Sequence, residues 1–427
     1  MPFNYDEVFN LYMLTQSFSA SDLLKLITYE DYKRYVGIGE SRDKTFEIMT
    51  EVSQKICSDG FKVTSIKEIL NGEDKIFSLQ KIEDDFALRK INDSVKRFYK
   101  VKQADRNLIV NQIIVLLQEA IPMSIIKLDL KKFYESIDRK WIINKLKEDA
   151  LLSSSSIKIL EDFLDSNEFS SFTGLPRGIG ISATLSELYL RDFDRKVNRL
   201  NTVYYFARYV DDIILFTIDS PKTLIKKIED NELLRKPLTF NKKKTRIFEI
   251  NNYDNSNISN LSFEYLGYKF VFNDLCKKTG YEFKDKNITV SIAKKKVKKY
   301  KTRIVYSFLD YLKNNDFSLL EDRLKFLSGN YPIKKNPSEG TVLYAGLYYN
   351  YPFINDDDVL ENLTSFLRKI INARNKSFGN KIASSLTQNE KGVLSKYDFL
   401  AGWKNRKLNS DFRPERVKII KKCWYNG

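Results

Sequence analysis

The stretch Tyr209-Val210-Asp211-Asp212 places two adjacent acids inside an apolar segment that runs from Val203 to Phe216. Residues with high β propensity lie on both sides, so the segment is predicted to be a hairpin with the acids at its tip. Two carboxylates about 4 Å apart repel by roughly 4 kcal/mol at an effective dielectric of 20, and a bound cation would relieve this repulsion. A merely solvated acidic turn would favour Gly or Asn over hydrophobic neighbours.

A third acid lies in a second strand of the buried type, Ile125-Ile-Lys-Leu-Asp129-Leu130. If the two strands are neighbours, Asp129 meets Asp211 and Asp212 at one point. Three hard oxygen ligands favour Mg²⁺ or Mn²⁺, and two such ions about 3.5–4 Å apart serve in-line phosphoryl transfer. The sequence therefore predicts a site for two Mg²⁺ ions, with Mn²⁺ as an alternative.

An Asp-bearing strand followed by a Tyr-x-Asp-Asp hairpin resembles the palm of reverse transcriptases. Asp129-Leu-Lys-Lys-Phe-Tyr134 is similar to the first palm motif of that family. The resemblance implies that Asp129, Asp211 and Asp212 are catalytic and bind the metal ions, with the Leu130 carbonyl as a further ligand. It also implies that the Tyr134 ring screens the sugar and disfavours ribonucleotides.

Gly174-Leu-Pro-Arg177-Gly178, followed by a helix from Ser182, resembles the second palm motif, whose glycines let the backbone approach the template and the incoming nucleotide. Arg177 and Gly178 are accordingly expected to bind the nucleotide. Retroviral and group II intron enzymes usually carry Gln where this chain has Arg177. In this respect the chain resembles the bacterial abortive-infection and unknown-group reverse transcriptases of phage defence.

Two further segments resemble later motifs of the family. The stretch from Leu238 to Thr245 is similar to a palm motif in which a lysine, here Lys244, lies near the triphosphate and can protonate the leaving pyrophosphate. Phe263-Glu-Tyr-Leu-Gly267-Tyr268 resembles the primer-grip turn, which implies nucleic-acid contacts at Gly267 and Tyr268.

Basic side chains alternate with apolar ones from Leu88 to Asn111, a pattern that suits fingers strands lying over the template. Arg106 is the expected phosphate contact of the nucleotide, with Lys102 next, and a solvated face is the alternative. Three more cations of this segment are expected to contact nucleic acid: Lys96, Arg97 and Lys100.

The segment from Lys294 to Arg303 contains seven basic residues in ten, and apolar residues repeat on one helical face through it. It resembles the first thumb helix, which tracks the template-primer duplex. The residues expected to contact nucleic acid are Lys294, Lys295, Lys298, Lys299, Lys301 and Arg303. An aromatic segment from Leu343 to Pro352 is expected either to contact RNA or to pack inside the thumb.

Composition limits the possible functions. A net charge of +16 and a pI near 9.3 indicate a polyanionic partner. The chain has no histidine, which excludes HNH nucleases, Ser-His-Asp and Cys-His catalysis and His-containing zinc fingers. Three widely spaced cysteines favour neither a disulfide framework nor a zinc site. No signal peptide or long apolar run is present, so a cytoplasmic protein with no membrane partner is expected.

The expected fold is α+β, a right-hand polymerase with fingers, palm and thumb. Four regions are predicted. Residues 1–80 form a helical region packing on the fingers, 81–285 the fingers and palm, 286–376 a helical thumb, and 377–427 a basic helical tail. The tail is expected either to hold a structured RNA or to close the thumb. Asp356-Asp357-Asp358 is read as a helix N-terminus rather than a metal site.

The predicted function is RNA-directed DNA synthesis from dNTPs on an RNA template. A cognate structured non-coding RNA in bacterial antiphage defence is the expected context. A retron enzyme making branched RNA-linked DNA and a template-independent, protein-primed DNA polymerase are the alternatives. A catalytically silent RNA-binding scaffold is the alternative of a different class, and retention of all three acids argues against it.

Overall fold

A computed structural model describes residues 15–28, 30–71, 74–119, 123–230, 233–250, 261–272, 288–335, 342–373, 378–409, 412 and 414–425. The fold mixes helices with antiparallel sheets. The chain divides into two compact units. Unit 1 comprises Met1–Arg106 and Pro122–Ile250, and unit 2 comprises Asn107–Ile121 and Asn251–Gly427. Among the described residues, no helix combines the length and the apolar character needed to cross a membrane.

The elements up to Ile250 are, in chain order, α1 (Ala20–Leu24), α2 (Asp31–Arg34), α3 (Arg42–Cys57), β1 (Ile66–Asn71), β2 (Asp74–Leu79), α4 (Ile82–Phe98), α5 (Arg106–Gln118), β3 (Met123–Asp129), α6 (Arg139–Asp149), α7 (Ser154–Leu164), α8 (Gly180–Asn198), β4 (Val203–Tyr209), β5 (Asp212–Thr217), α9 (Pro221–Asp230) and β6 (Arg246–Ile250). Short 3₁₀ turns occupy Tyr134–Ser136 and Asn167–Phe169.

The later elements are β7 (Ser262–Tyr265), β8 (Tyr268–Phe272), β9 (Ile288–Ile292), α10 (Lys294–Asn314), α11 (Phe317–Ser328), β10 (Asn330–Lys335), β11 (Val342–Gly346), α12 (Leu347–Asn350), α13 (Asp357–Ile371), α14 (Phe378–Ser385), α15 (Gln388–Leu394), α16 (Phe399–Lys404) and α17 (Pro414–Tyr425).

The central sheet of unit 1 has the strand order β4-β5-β3-β6, and every neighbouring pair is antiparallel. Strands β3 and β5 are the inner strands, and Ile125, Leu128, Ile213 and Leu215 are completely buried. Their near-continuous apolar sequences suit strands that are covered on both faces. The prediction that the Asp129 strand and the acidic hairpin are neighbours is confirmed.

Two predictions about the N-terminal part of unit 1 are wrong. The first 80 residues are not all helical, because β1 and β2 form an antiparallel hairpin. The segment from Leu88 to Asn111 contains no strand, because it lies mostly in α4 and α5. In α4 the apolar residues recur with helical spacing, and Phe86, Ile91 and Val95 are completely buried.

Unit 2 contains a three-stranded antiparallel sheet of order β7-β8-β9, a β10-β11 hairpin and a set of helices. The basic segment forms the 21-residue helix α10, as predicted. The acid triplet begins α13, with Asp356 at its N-cap, also as predicted. Helix α17 packs on α10 and α11, where the Trp424 indole N–H donates to the Arg303 carbonyl at 3.1 Å. The tail therefore has a packing role inside unit 2.

A buried ion network stabilises the helical part of unit 1. The Arg89 guanidinium donates two hydrogen bonds to Asp31, at 2.7 and 2.9 Å, and two to Asp85, at 2.7 and 3.1 Å. The Asp31 side chain is fully buried. Burial opposes its ionisation, but the bonds from Arg89 and Thr28 outweigh burial and lower the pKa of Asp31.

We expect Asp31→Asn to reduce the free energy of unfolding by about 1–3 kcal/mol at pH 7, since it weakens a buried charge-assisted bond. Urea denaturation measures the change. Because the folded pKa lies below the unfolded one, this stabilisation is complete above about pH 4 and disappears as pH falls through the folded pKa. Asp93→Asn is the matched control, since Asp93 pairs with the exposed Arg97 on the same helix. An equal effect of the two substitutions would contradict the assignment.

Candidate active site

Three aspartates lie at one end of the central sheet of unit 1. Asp129 ends β3 and is the direct antiparallel partner of Asp212, the first residue of β5. Side chains at such paired positions have Cβ atoms about 4.5–5.5 Å apart. Asp211 belongs to the two-residue turn between β4 and β5, because Tyr209 is paired with Asp212. The hairpin and the position of its acids are as predicted.

The turn that carries Asp211 is strained. Val210 has φ +60°, a left-handed conformation that is unfavourable for a β-branched residue. Its carbonyl accepts a hydrogen bond of 3.0 Å from the guanidinium of Arg208, two residues earlier on β4. Arg208 therefore contacts the backbone at the point where the chain must adopt this conformation.

Arg208 is itself held by two acids of α8. Its guanidinium donates to both oxygens of Glu187, at 3.1 and 2.7 Å, and to both oxygens of Asp194, at 2.9 and 2.7 Å. The arginine side chain is almost fully buried. Burial would lower the pKa of Arg208, but Asp194 and Glu187 more than reverse this effect, so the guanidinium stays charged. The network fixes the Val210-Asp211 turn on helix α8.

The acids at the turn are crowded. Burial raises the pKa of Asp211, and the nearby Asp129 charge raises it further. Burial also raises the pKa of Asp212, with added repulsion from Asp211 and Asp129. Both shifts indicate negative charge in a partly dehydrated place, which is where a cation binds most favourably.

Two side chains after β5 contact Asp129. The Lys244 ammonium lies 3.0 Å from each carboxylate oxygen, and the Asn241 amide donates to one of them at 3.2 Å. The Asn241 backbone N–H also donates to the Asp129 carbonyl at 2.7 Å. The bond to Asp129 raises the pKa of Lys244, so this lysine is a cation. Lys244 thus lies at the carboxylates, and its predicted contact with a triphosphate stays a prediction.

The donor set fits divalent metal ions. Carboxylates and a main-chain carbonyl are the ligands that Mg²⁺ and Mn²⁺ prefer. The hydrogen bonds of the bridge between Leu130 and Phe240 use the Lys131 N–H and the Asp129 carbonyl, so the Leu130 carbonyl is not used in that bridge. Within the described ranges, no group of three Asp, Glu, His or Cys side chains is already arranged around a metal position. Lys244 and Asn241 instead provide the polar contacts of Asp129.

Tyr134 lies in the 3₁₀ turn that follows β3, and its ring is half-buried beside Phe133, with ring centroids 5.1 Å apart. The Arg177 guanidinium carbon is 5.6 Å from the Tyr134 ring centroid. Arg177 also donates to both oxygens of Glu135, at 2.7 and 3.2 Å. The structure therefore brings Tyr134 and Arg177, two predicted nucleotide contacts, together.

Gly178 lies close to the backbone of β2, whereas the sequence predicted a close approach to the nucleotide. It has φ +94°, and a Cβ there would collide with the Phe77 carbonyl oxygen of β2. The Phe77 N–H donates to the Arg177 carbonyl at 2.7 Å. The β1-β2 hairpin is thus the neighbour that leaves no room for a side chain at Gly178. The contact of Gly178 with a nucleotide stays a prediction.

The other predicted cations of unit 1 lie on α4 or just after it. Lys96, Lys100 and Lys102 are exposed, and Arg97 forms a 2.9 Å ion pair with Asp93. Arg106 begins α5 and is half-buried. None of these residues lies on a strand, so the prediction that fingers strands carry them is wrong. Their contacts with phosphates stay predictions.

In unit 2 the predicted primer-grip residues form the turn between β7 and β8. Leu266 and Gly267 have φ +46° and +85°, as a tight hairpin turn requires. The Tyr268 side chain is fully buried and its ring packs on Tyr351, with centroids 5.5 Å apart. The Tyr268 ring therefore has a packing role, and the predicted nucleic-acid contacts of Gly267 and Tyr268 stay predictions.

Helix α10 presents the predicted cationic surface of unit 2. Its first turns expose Lys294, Lys295, Lys298 and Lys299. The charge of Arg303 lowers the pKa of Lys299, which indicates mutual repulsion along the helix. A bound polyanion would relieve that repulsion.

The two last cations of the predicted surface have partners inside unit 2. The Lys301 ammonium lies 5.3 Å from the Phe366 ring centroid, and the Arg303 guanidinium carbon lies 5.1 Å from the Trp424 ring. Both side chains are half-buried. Their predicted contacts with nucleic acid are not tested by this geometry.

The sequence analysis missed the residues that hold the site in place. Arg208, Glu187 and Asp194 were not among the candidates, because their contacts join positions 14 to 21 residues apart on different elements. The β1-β2 hairpin did have a local signal. The Asn71-Gly72 dipeptide is typical of tight turns.

Comparisons with known proteins agree with the geometry of the site. Residues 82–270 match the family model described as Reverse transcriptase (RNA-dependent DNA polymerase). A search of the curated proteins finds no match. Among solved structures, the apo telomerase from Candida Tropicalis truncated from its C-terminal domain is similar at 16% identity and a TM-score of 0.35. The alignment covers 55% of this chain and 61% of that one.

Residues 82–270 therefore resemble the reverse transcriptase domain of RNA-dependent DNA polymerases. All three aspartates lie inside this segment, together with Tyr134, Arg177, Arg208 and Lys244.

We expect Arg208→Gln to lower the melting temperature and to cost about 1–3 kcal/mol, because it leaves the partly buried carboxylates of Glu187 and Asp194 without their guanidinium partner. Calorimetry at pH 7 measures the loss. Arg195→Gln is the matched control, since Arg195 is an exposed arginine of α8 near Asp192, at 3.9 Å. A change no larger than that of the control would show that the network does not stabilise the hairpin.

We expect Mg²⁺ to raise the melting temperature of the wild type but not of Asp129→Ala, since only the wild type has all three ligands. Lys244→Met should respond at lower Mg²⁺ concentration, because no ammonium then competes for Asp129. The raised pKa values of Asp211 and Asp212 make protons compete at higher pH than for ordinary carboxyls. The rise in melting temperature caused by Mg²⁺ should therefore become smaller as pH falls, and this decrease should begin at a pH above ~4. An equal Mg²⁺ response of Asp129→Ala would disprove the metal assignment.

Proposed function

We propose that the protein is an RNA-directed DNA polymerase that extends a primer strand with dNTPs. One observation carries this proposal: Asp129 is paired directly with Asp212, beside Asp211, inside the segment that resembles a reverse transcriptase domain. The raised pKa values of Asp211 and Asp212 support cation binding at this place.

Asp129, Asp211 and Asp212 would hold two divalent ions, with the Leu130 carbonyl as a possible further ligand. When bound, such ions activate the primer 3′-hydroxyl and neutralise charge on the triphosphate. The protein contributes position and charge. Arg208 keeps the turn in its strained shape, and the pairing of β3 with β5 sets the spacing of the ligands.

Further residues would act on the nucleotide. Lys244 contacts Asp129 and its raised pKa keeps it protonated, so it would bring a positive charge to the triphosphate and a proton for the leaving pyrophosphate. Tyr134 would screen the sugar and select deoxynucleotides. Arg177, Gly178, Lys102 and Arg106 are the other proposed nucleotide contacts.

We assign the part of unit 1 around the central sheet to the palm and helix α10 to the thumb. The exposed lysines of α10, with net charge +16, support binding of an RNA template and its DNA product. Arg177 in the Gly-rich turn supports a defence-associated bacterial enzyme working with a cognate structured RNA. The four regions predicted from the sequence, the cytoplasmic location and the RNA-binding role of the tail stay predictions.

We expect Asp211→Ala combined with Asp212→Ala to abolish dNTP incorporation on a primed RNA, because the transition-state charge is then uncompensated. A rise of several kcal/mol in the activation barrier corresponds to a rate reduction of about 10³-fold or more. Primer extension with radiolabelled dNTPs measures it, with Asp219→Ala, an acid outside the site, as control. Undiminished synthesis by the double variant would refute the assignment of the site.

A further inference from the structure

Two turns of unit 1 are joined at their backbones. The Leu175 N–H donates to the Tyr134 carbonyl at 2.7 Å, and a Cβ on Gly174 would overlap that same oxygen. The backbone of the 3₁₀ turn from Tyr134 to Ser136 is thus tied to the Gly-rich turn. This contact fixes the Tyr134 main chain but leaves the direction of its ring to side-chain contacts.

The side chains of the same two turns form an ion pair. Arg177 binds Glu135 through two nitrogens, Nε and Nη2, in the forked geometry that restricts both partners most strongly. Burial opposes ionisation of Glu135, but Arg177 outweighs it and lowers the pKa of Glu135. Each partner is about one third exposed, so the pair determines geometry more than stability.

The paired guanidinium also faces the Tyr134 ring, at 5.6 Å from its centroid, within the range of a cation–π contact. Close packing does not fill the space around the pair. A cavity of about 320 Å³ lies there, lined by Lys75, Phe77, Lys132, Glu135, Ser171, Phe172, Leu175 and Arg177. The cavity adjoins the ion pair, and within the pair Arg177 is the member that contacts the Tyr134 ring and limits its movement on that side.

We propose that the Arg177–Glu135 ion pair is a positioning device that holds the Tyr134 ring, and that it thereby sets selection of deoxyribonucleotides over ribonucleotides. This inference rests on the proposed function, in which the ring lies beneath the sugar. A ring held within a fraction of an ångström rejects a 2′-hydroxyl, whereas a ring free to tilt makes room for it. Arg177 and Glu135 act through Tyr134 and need no contact with the reacting atoms.

The test measures kcat/KM for dGTP and for GTP on poly(rC) primed with oligo(dG), in Mg²⁺. Glu135→Gln keeps a polar side chain of the same length, Arg177→Gln keeps a shorter polar side chain, and each substitution removes one charge. Each should reduce the preference for dGTP over GTP by about tenfold, with most of the change in GTP use. The double variant should be no worse than either single one, because both remove the same pair.

Three further variants calibrate the result. Tyr134→Val should lose most of the preference, and Tyr134→Phe, which keeps the ring, should retain it. Lys147→Gln breaks an exposed ion pair with Glu161 between α6 and α7 and should leave the preference unchanged. Melting temperatures of all variants show whether folding is intact. A purely structural role of the pair would change melting and total activity without changing the dGTP to GTP ratio.

An unchanged ratio in both Arg177→Gln and Glu135→Gln, with dGTP still incorporated, would overturn the inference. If the wild type incorporates no nucleotide, the proposed polymerase function fails, and equilibrium binding of dGTP and GTP in Ca²⁺ then decides about the pair. A preference for dGTP that both substitutions abolish would support the positioning role. Equal binding of both nucleotides by the wild type would reject it.

Discussion

The antiparallel pairing of β3 with β5 is the constraint on which the candidate site depends. It sets Asp129 opposite Asp212 and leaves Asp211 in the adjoining turn. Three like charges at one strand end are unfavourable without compensation, and burial makes the repulsion stronger. The backbone pairing of the sheet does not neutralise this repulsion, so the polar side chains that contact the aspartates are part of the site.

Lys244 and Arg208 act on the site in different ways. Lys244 is exposed and binds Asp129 directly, so it can leave the carboxylate at little cost when another cation arrives. Arg208 is buried and binds Glu187, Asp194 and the Val210 carbonyl, so it cannot leave without stranding two carboxylates. Another cation can therefore displace Lys244, whereas Arg208 maintains the shape of the turn.

The sequence was sufficient for those parts of the fold that depend on local patterns. The acidic hairpin, the Asp129 strand and helix α10 all have strong periodicity, and all were predicted. The wrong strand assignment in α4 has a physical cause. In α4 the basic residues suggested a template-facing strand, but Arg89 pairs with Asp31 across 58 residues. Such partners have no signature in the local sequence, and the same holds for Arg208 and Arg177.

Helix α10 shows how structure divides residues that look equivalent in sequence. Its seven cations form one run, yet Lys301 and Arg303 already face the Phe366 and Trp424 rings. The exposed lysines are concentrated in the first two turns, where the positive end of the helix dipole adds to their field. The first turn itself contains no acid, and its Lys294 N–H donates to the Glu264 carboxylate at 2.9 Å. The start of the helix is therefore the part whose lysines stay exposed, and its later turns pack on the tail through Arg303 and Trp424.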